Sequence, residues 1–167
     1  MRAGGLIWWS GKVRRLRAHL GARIDDSERT SLAAWLSPAQ IGIFDRMTMA
    51  DQRHGLDVMA ALRADGVTDH DALIAGLLHD AGKGDTGVLP RVAYSLGQAY
   101  GTWIPSLVGH LPWMAAPLVR LRAHPELSAR MAEEAGCSSR TVELIRWQDD
   151  PRDPEYGEQL RLADEAN

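Results

Sequence analysis

The chain has 167 residues, enough for one domain with a core of its own and too few for two of ordinary size. Apolar residues make up 45% and charged residues 25%, which excludes a disordered chain, and a formal net charge of -3 gives no sign of a nucleic-acid binder. Cys137 is the only cysteine, so an intramolecular disulfide is excluded and a cytoplasmic setting is expected.

Ala, Leu, Arg and Glu outnumber Val, Ile, Thr and Tyr, a balance that favours helix over sheet. Residues 1–24 carry Arg2, Lys12, Arg14, Arg15, Arg17 and Arg23 and no acid, while the other 13 bases share the chain with all 22 acids. With Trp8 and Trp9, this basic head suits weak contact with an acidic membrane surface or nucleic acid. The plainer reading is a helix that packs its Trp and Leu residues on the core and shows its Arg residues to water. That reading divides the chain into a basic helical extension over 1–36 and a main domain over 37–167, with no nucleic-acid partner. The apolar run 6–9 is too short for a signal peptide. The stretch 103–121 is broken by Pro105, His110, Pro112 and Pro117, so no membrane span is expected.

Helices follow one another along the rest of the chain. Asp25, Asp26 and Ser27 offer caps for a helix with Leu32, Trp35 and Leu36 at helical spacing. Ser37-Pro38 is a cap followed by proline at the first helical position, opening a short helix with Ile41 and Phe44. The next helix is predicted over 51–65, stopped by Gly66, with His54, Val58, Ala61 and Leu62 on one inward face. The segment 71–80 has no polar side chain between residues 72 and 78, which marks a central, buried helix. Residues 88–123 read as one or two helices with proline-broken joins, and 125–135 as a separate helix ended by Gly136. Ser138 or Ser139 caps a helix running to Trp147. An acidic loop with Pro151 and Pro154 follows, and the last helix aligns Tyr156, Leu160, Ala163 and Asp164.

Three of these features need a common explanation. A histidine, His54, lies on an apolar helix face. A His-Asp pair, His79-Asp80, ends the most buried helix. A carboxylate, Asp164, lies on the apolar face of the last helix. A buried carboxylate requires a cation or hydrogen-bond donors beside it. A divalent metal would satisfy all three, and the mixed imidazole and carboxylate set suits Mn, Fe, Co, Ni, Zn or Mg. Taken singly, each has a plainer account: a core histidine with a hydrogen bond, a chance dipeptide such as Asp69-His70, or a carboxylate paired with an arginine.

Arg53-His54, then Leu77-Leu78-His79-Asp80-Ala81-Gly82-Lys83, then His124-Pro125-Glu126 and Leu162-Ala163-Asp164 together resemble the HD superfamily of metal-dependent phosphohydrolases. The likeness covers the chain from about residue 50 to its end, in ligand order and in helical setting. It implies an all-α, HD-domain-like bundle of about seven to nine helices. It also implies one divalent metal held by His54, His79, Asp80 and Asp164. Lys83 is similar to the family lysine that meets a phosphate oxygen. His124 resembles a histidine that holds a second metal in two-metal branches. Here Trp147-Gln148-Asp149-Asp150 stands where those branches carry another histidine, and their GYP signature is absent. One metal is therefore expected, with His124 lining the substrate pocket; a second metal would need Asp149 to substitute for that histidine.

The activity implied is hydrolysis of a phosphate ester, a nucleotide or a related small molecule. Asp80, Lys83 and His124 are the expected catalytic groups; Lys83, Arg53 and Arg91 are expected to bind the substrate. The alternative is a non-catalytic module that senses nucleotides or acts as a scaffold. An unrelated bundle with accidental His-Asp pairs is the third reading.

Overall fold

The computed structural model describes residues 23–101 and 103–167, and among them the chain is all-α, with nine helices and no strand. In chain order these are α1 (Asp26–Ala33), α2 (Pro38–Arg46), α3 (Met49–Ala64), α4 (His70–Leu78), α5 (Val88–Tyr100), α6 (Trp103–Val108), α7 (Pro112–Glu134), α8 (Ser139–Arg146) and α9 (Gly157–Ala166). A 3-10 turn, Ala81–Lys83, follows α4. No described helix is long and apolar enough to cross a membrane. Most of the basic extension expected at the N-terminus, including Trp8 and Trp9, lies outside the described residues.

Short polar residues start the helices as the sequence suggests. Asp25 and Glu28 form a capping box on α1, and Ser37 and Gln40 form another on α2. Thr48, Asp69 and Ser138 accept from backbone amides to cap α3, α4 and α8. The third helix therefore opens two residues before the predicted start. Buried Gln52 donates to the carbonyls of Phe44 at 2.9 Å and Met47 at 3.1 Å, so α3 also satisfies the open end of α2.

Every residue of α4 from Ala72 to Leu78 is buried, and the helix packs against α2, α3, α8 and α9. Val58 and Leu62 of α3, Ile145 of α8 and Leu160 of α9 close around it. Two glycines permit this packing. A Cβ on Gly55 would stand 2.3 Å from the Leu77 carbonyl oxygen, and one on Gly76 would stand 2.8 Å from a Leu62 methyl carbon. A second, smaller apolar cluster (Ala93, Met114 and Leu118) joins α5, α6 and the first half of α7.

The largest departure from the predicted elements is α7. A separate helix was expected to begin at Pro125, but α7 runs unbroken from Pro112 through Pro117 and Pro125. Proline has no N–H, so the Leu121 carbonyl loses its usual partner four residues on. The imidazole of His124 replaces it, with Nδ1 lying 2.6 Å from that carbonyl oxygen. A side-chain donor thus closes the gap in the helix ladder.

Candidate metal centre

His54 comes from the middle of α3, His79 and Asp80 from the turn at the end of α4, and Asp164 from α9. Although 110 residues separate them in sequence, His54 Nε2 and Asp164 Oδ1 are 2.8 Å apart. His79 Nε2 lies 3.5 Å from Asp164 Oδ1 and 3.5 Å from Asp80 Oδ2. Asp80 Oδ2 also stands 3.7 Å from His54 Nε2. Donors bound at about 2.0–2.2 Å to one cation stand roughly 3–4 Å from their neighbours. The donors of His54, His79 and Asp164 therefore have the spacing of a shared coordination sphere, with Asp80 beside the two imidazoles. His54, His79 and Asp164 have donor atoms all within 4.8 Å of one another and can hold a metal ion.

The donor chemistry fits a cation more closely than a self-contained hydrogen-bond network. His79 is fully buried, and its Nδ1 donates to the Gly76 carbonyl oxygen at 2.9 Å. That bond commits Nδ1 and leaves Nε2 facing the site, where it can carry a proton or bind a cation. Nε2 makes no hydrogen bond and is out of reach of solvent. An orphaned polar atom in such a place is uncommon and calls for a partner. The floor of the site, His79 and Asp80, is sealed, whereas the side chains of His54 and Asp164 are 22% and 41% exposed. The cluster thus opens toward solvent on one side, as a catalytic metal site requires.

Burial alone would favour neutral His79, but the Asp80 and Asp164 carboxylates outweigh it and push the imidazole up to about 9. Burial alone would likewise raise the Asp80 carboxyl; His79 and Lys83 hold it well below the usual range. Burial alone would raise the Asp164 carboxyl too; its hydrogen bond to His54 and the nearby His79 imidazole depress it instead. In the metal-free protein, His79 is therefore an imidazolium at neutral pH, and an incoming cation must displace its proton. Its raised value stabilises the metal-free fold fully below about pH 6.5, and that contribution is lost as the pH climbs through about 9. Metal affinity runs the other way. We expect it to rise about tenfold per pH unit toward pH 9, with one proton released per ion. Calorimetric titration in buffers of different ionisation enthalpy measures that proton directly; a pH-independent affinity would contradict it.

Lys83 extends from the 3-10 turn, with its Nζ 2.5 Å from Asp80 Oδ2. Burial alone would lower the ammonium, but Asp80 outweighs it and keeps Lys83 charged. His124 reaches the same carboxylate from α7, with Nε2 3.4 Å from Asp80 Oδ1. Asp80 is therefore flanked by both histidines of the cluster, by Lys83 and by His124. Gly82 makes the approach of α7 to this turn feasible: a Cβ there would stand 2.5 Å from the His124 carbonyl oxygen. Its N–H donates to Ser128 Oγ at 2.8 Å.

The two expected substrate-binding arginines are engaged within the fold. Arg53 pairs with Glu28 at 2.7 Å and with Asp57 at 2.9 Å. Arg91 forms a two-pronged bridge to buried Asp51 at 2.6 and 2.7 Å, and also donates to Gly84 O and Thr86 Oγ1. The residues that sequence reasoning passed over are supporting ones. Gln148 is buried and donates to the His79 carbonyl oxygen at 3.3 Å, and Ser128 holds the turn behind Lys83. Their polar character at buried positions was the available signal, and it is weak without knowledge of the packing.

Compared with known proteins, the chain matches no family model, no curated protein and no solved structure.

Proposed function

We propose that the chain is a metal-dependent phosphohydrolase of the HD type, acting on a phosphate ester of a nucleotide or a related small molecule. The observation that carries this reading is the orphaned Nε2 of fully buried His79, set among Asp80, Asp164 and His54. The resemblance of the His79-Asp80-Ala81-Gly82-Lys83 run and of the distant Asp164 to that family supports it. His54, His79, Asp80 and Asp164 would hold one divalent ion, Mn, Fe, Co, Ni, Zn or Mg. When bound, such an ion supplies Lewis acidity toward a phosphoryl oxygen and toward water.

The chain's own groups account for the remaining steps. Asp80 would orient the attacking water and take its proton. Lys83, held beside Asp80, would offset the charge that gathers on the phosphoryl oxygens. His124 has its Nδ1 committed to the helix, so any proton it hands to the leaving oxygen must come from Nε2, the atom facing Asp80. The sealed floor at His79 keeps bulk water from the buried side of the reaction.

A specific observation favours a second reading, a nucleotide-sensing module without turnover. Lys83, Arg53 and Arg91, the cations expected to grip a phosphate, all meet carboxylates of the fold. One experiment separates the two readings. The chelator-stripped chain is reloaded with each divalent metal in turn and assayed for phosphate release from nucleoside monophosphates, cyclic nucleotides and simple phosphate esters. Metal-dependent release is the expected result. Tight nucleotide binding with no release under any metal would transfer the assignment to the sensor.

A further inference from the structure

Large apolar side chains left in water are concentrated in one place. Nine of the eleven among the described residues fall between positions 88 and 119, on α5, α6 and the first half of α7. Trp103 is 62% exposed, Leu107 67% and Trp113 57%, with Leu89, Tyr100 and Leu111 also exposed. This lobe has little interior to hide them in, because its own core consists of Ala93, Met114 and Leu118 with a few partly buried neighbours. Exposed apolar patches of this kind mark an interaction surface.

The charge pattern identifies the partner. Residues 86–125 contain no acid at all, in a chain with 22 acids. Arg120 and Arg122 are exposed on α7 and neither meets a carboxylate among the described residues, although the Arg120 Nε donates to the Lys83 carbonyl oxygen at 3.1 Å. A second copy docked face to face would set these guanidinium groups against their own kind. A lipid surface with anionic headgroups complements them, while Trp and Tyr suit the boundary between headgroup and acyl chain. By sequence, residues 1–24 have the same chemistry: two Trp, six bases and no acid.

We infer that the face built by α5, α6 and the start of α7 seats on an anionic lipid surface, with Trp103, Leu107 and Trp113 entering the headgroup layer. Trp103, Leu107 and Trp113 make no contact with the metal cluster, so their substitution tests this interaction apart from the hydrolase reading.

The full chain is tested by flotation with phosphatidylcholine vesicles, with and without phosphatidylglycerol. We expect it to float with the anionic vesicles only, with a blue shift of tryptophan emission. The double variant Leu107→Glu/Trp113→Glu should bind at least roughly tenfold more weakly while keeping its metal content and melting temperature. If that variant melts early, the single substitution Trp113→Glu carries the same test. No flotation of the parent chain would overturn the inference. Unchanged flotation of the variant would assign the contact to the basic N-terminal segment and overturn it too. Self-association abolished by the variant, without vesicle binding, would give the face to a second copy instead.

Discussion

Replacing Asp80 with asparagine is expected to abolish turnover and to weaken metal binding by more than about a hundredfold, since even the outer partners of a ligand are worth roughly 10–100-fold. The substitution keeps the volume of the side chain and removes its charge. That charge lies within 3.7 Å of His54, His79, Lys83 and His124, so four groups lose their common anion at once. Breaking one partner of a buried ion pair costs about 3–5 kcal/mol. Here the loss should fall toward the lower end of that range, because the Lys83 side chain retains 24% of its exposure. His79 can also shed its proton once the carboxylate is gone. The variant should therefore fold, melt a few degrees earlier and contain little metal. Elemental analysis, thermal melting and a phosphate-release assay read the three effects separately. A variant with full metal content and full activity would rule out Asp80 as ligand and base.

The second large effect is expected from a residue with no chemistry of its own. At Gly55, α3 crosses α4 so closely that an added Cβ would lie 2.3 Å from the Leu77 carbonyl oxygen and 3.1 Å from its carbon. The obstacle is backbone, which cannot rotate aside, so Gly55→Ala must drive the two helices apart. Overpacking of this kind typically costs about 1–3 kcal/mol, and more where the backbone is the obstacle. His54 precedes the crossing and His79 follows Leu77 by two residues, so separation of the helices also separates the imidazoles, whose ring centres are now 5.2 Å apart. Metal affinity should fall by at least about tenfold, because ligand geometry is lost with the packing. Gly42→Ala is the control. Its Cβ would meet only an Arg46 nitrogen at 3.9 Å, and removing a helical glycine there should be neutral or stabilising by up to about 1 kcal/mol. Equal metal affinity in the two variants would show that the crossing at Gly55 does not set the distance between the histidines.

The sequence reveals those parts of the fold that obey local rules. The seven apolar residues from Ala72 to Leu78 could only be a central helix, and α4 is one. His54 and Asp164 drew notice as polar residues on apolar faces, and the fold turns both toward His79. What stayed hidden is what long-range contact decides. Nothing local pairs Arg91 with Asp51, 40 residues away, or Arg53 with Glu28, 25 residues away, so both arginines read as free to meet a substrate. Pro125 reads as a helix start because proline removes a donor; the reading failed because the neighbouring imidazole supplies another. The supporting role of Gln148 depends on where the His79 carbonyl lies, which pattern alone cannot give.

That imidazole has a wider consequence for how this molecule can change. With proline at 125, the ring of His124 serves as a spare main-chain amide while its far nitrogen looks onto Asp80. Helix scaffold and neighbour of Asp80 are thus the same five-membered ring. Exchanging His124 for a residue unable to donate would strand the carbonyl of Leu121, which is itself almost wholly buried. Substitution at 124 is tied to substitution at 125: a residue with its own N–H at 125 would release the histidine from the helix and leave the ring free to turn.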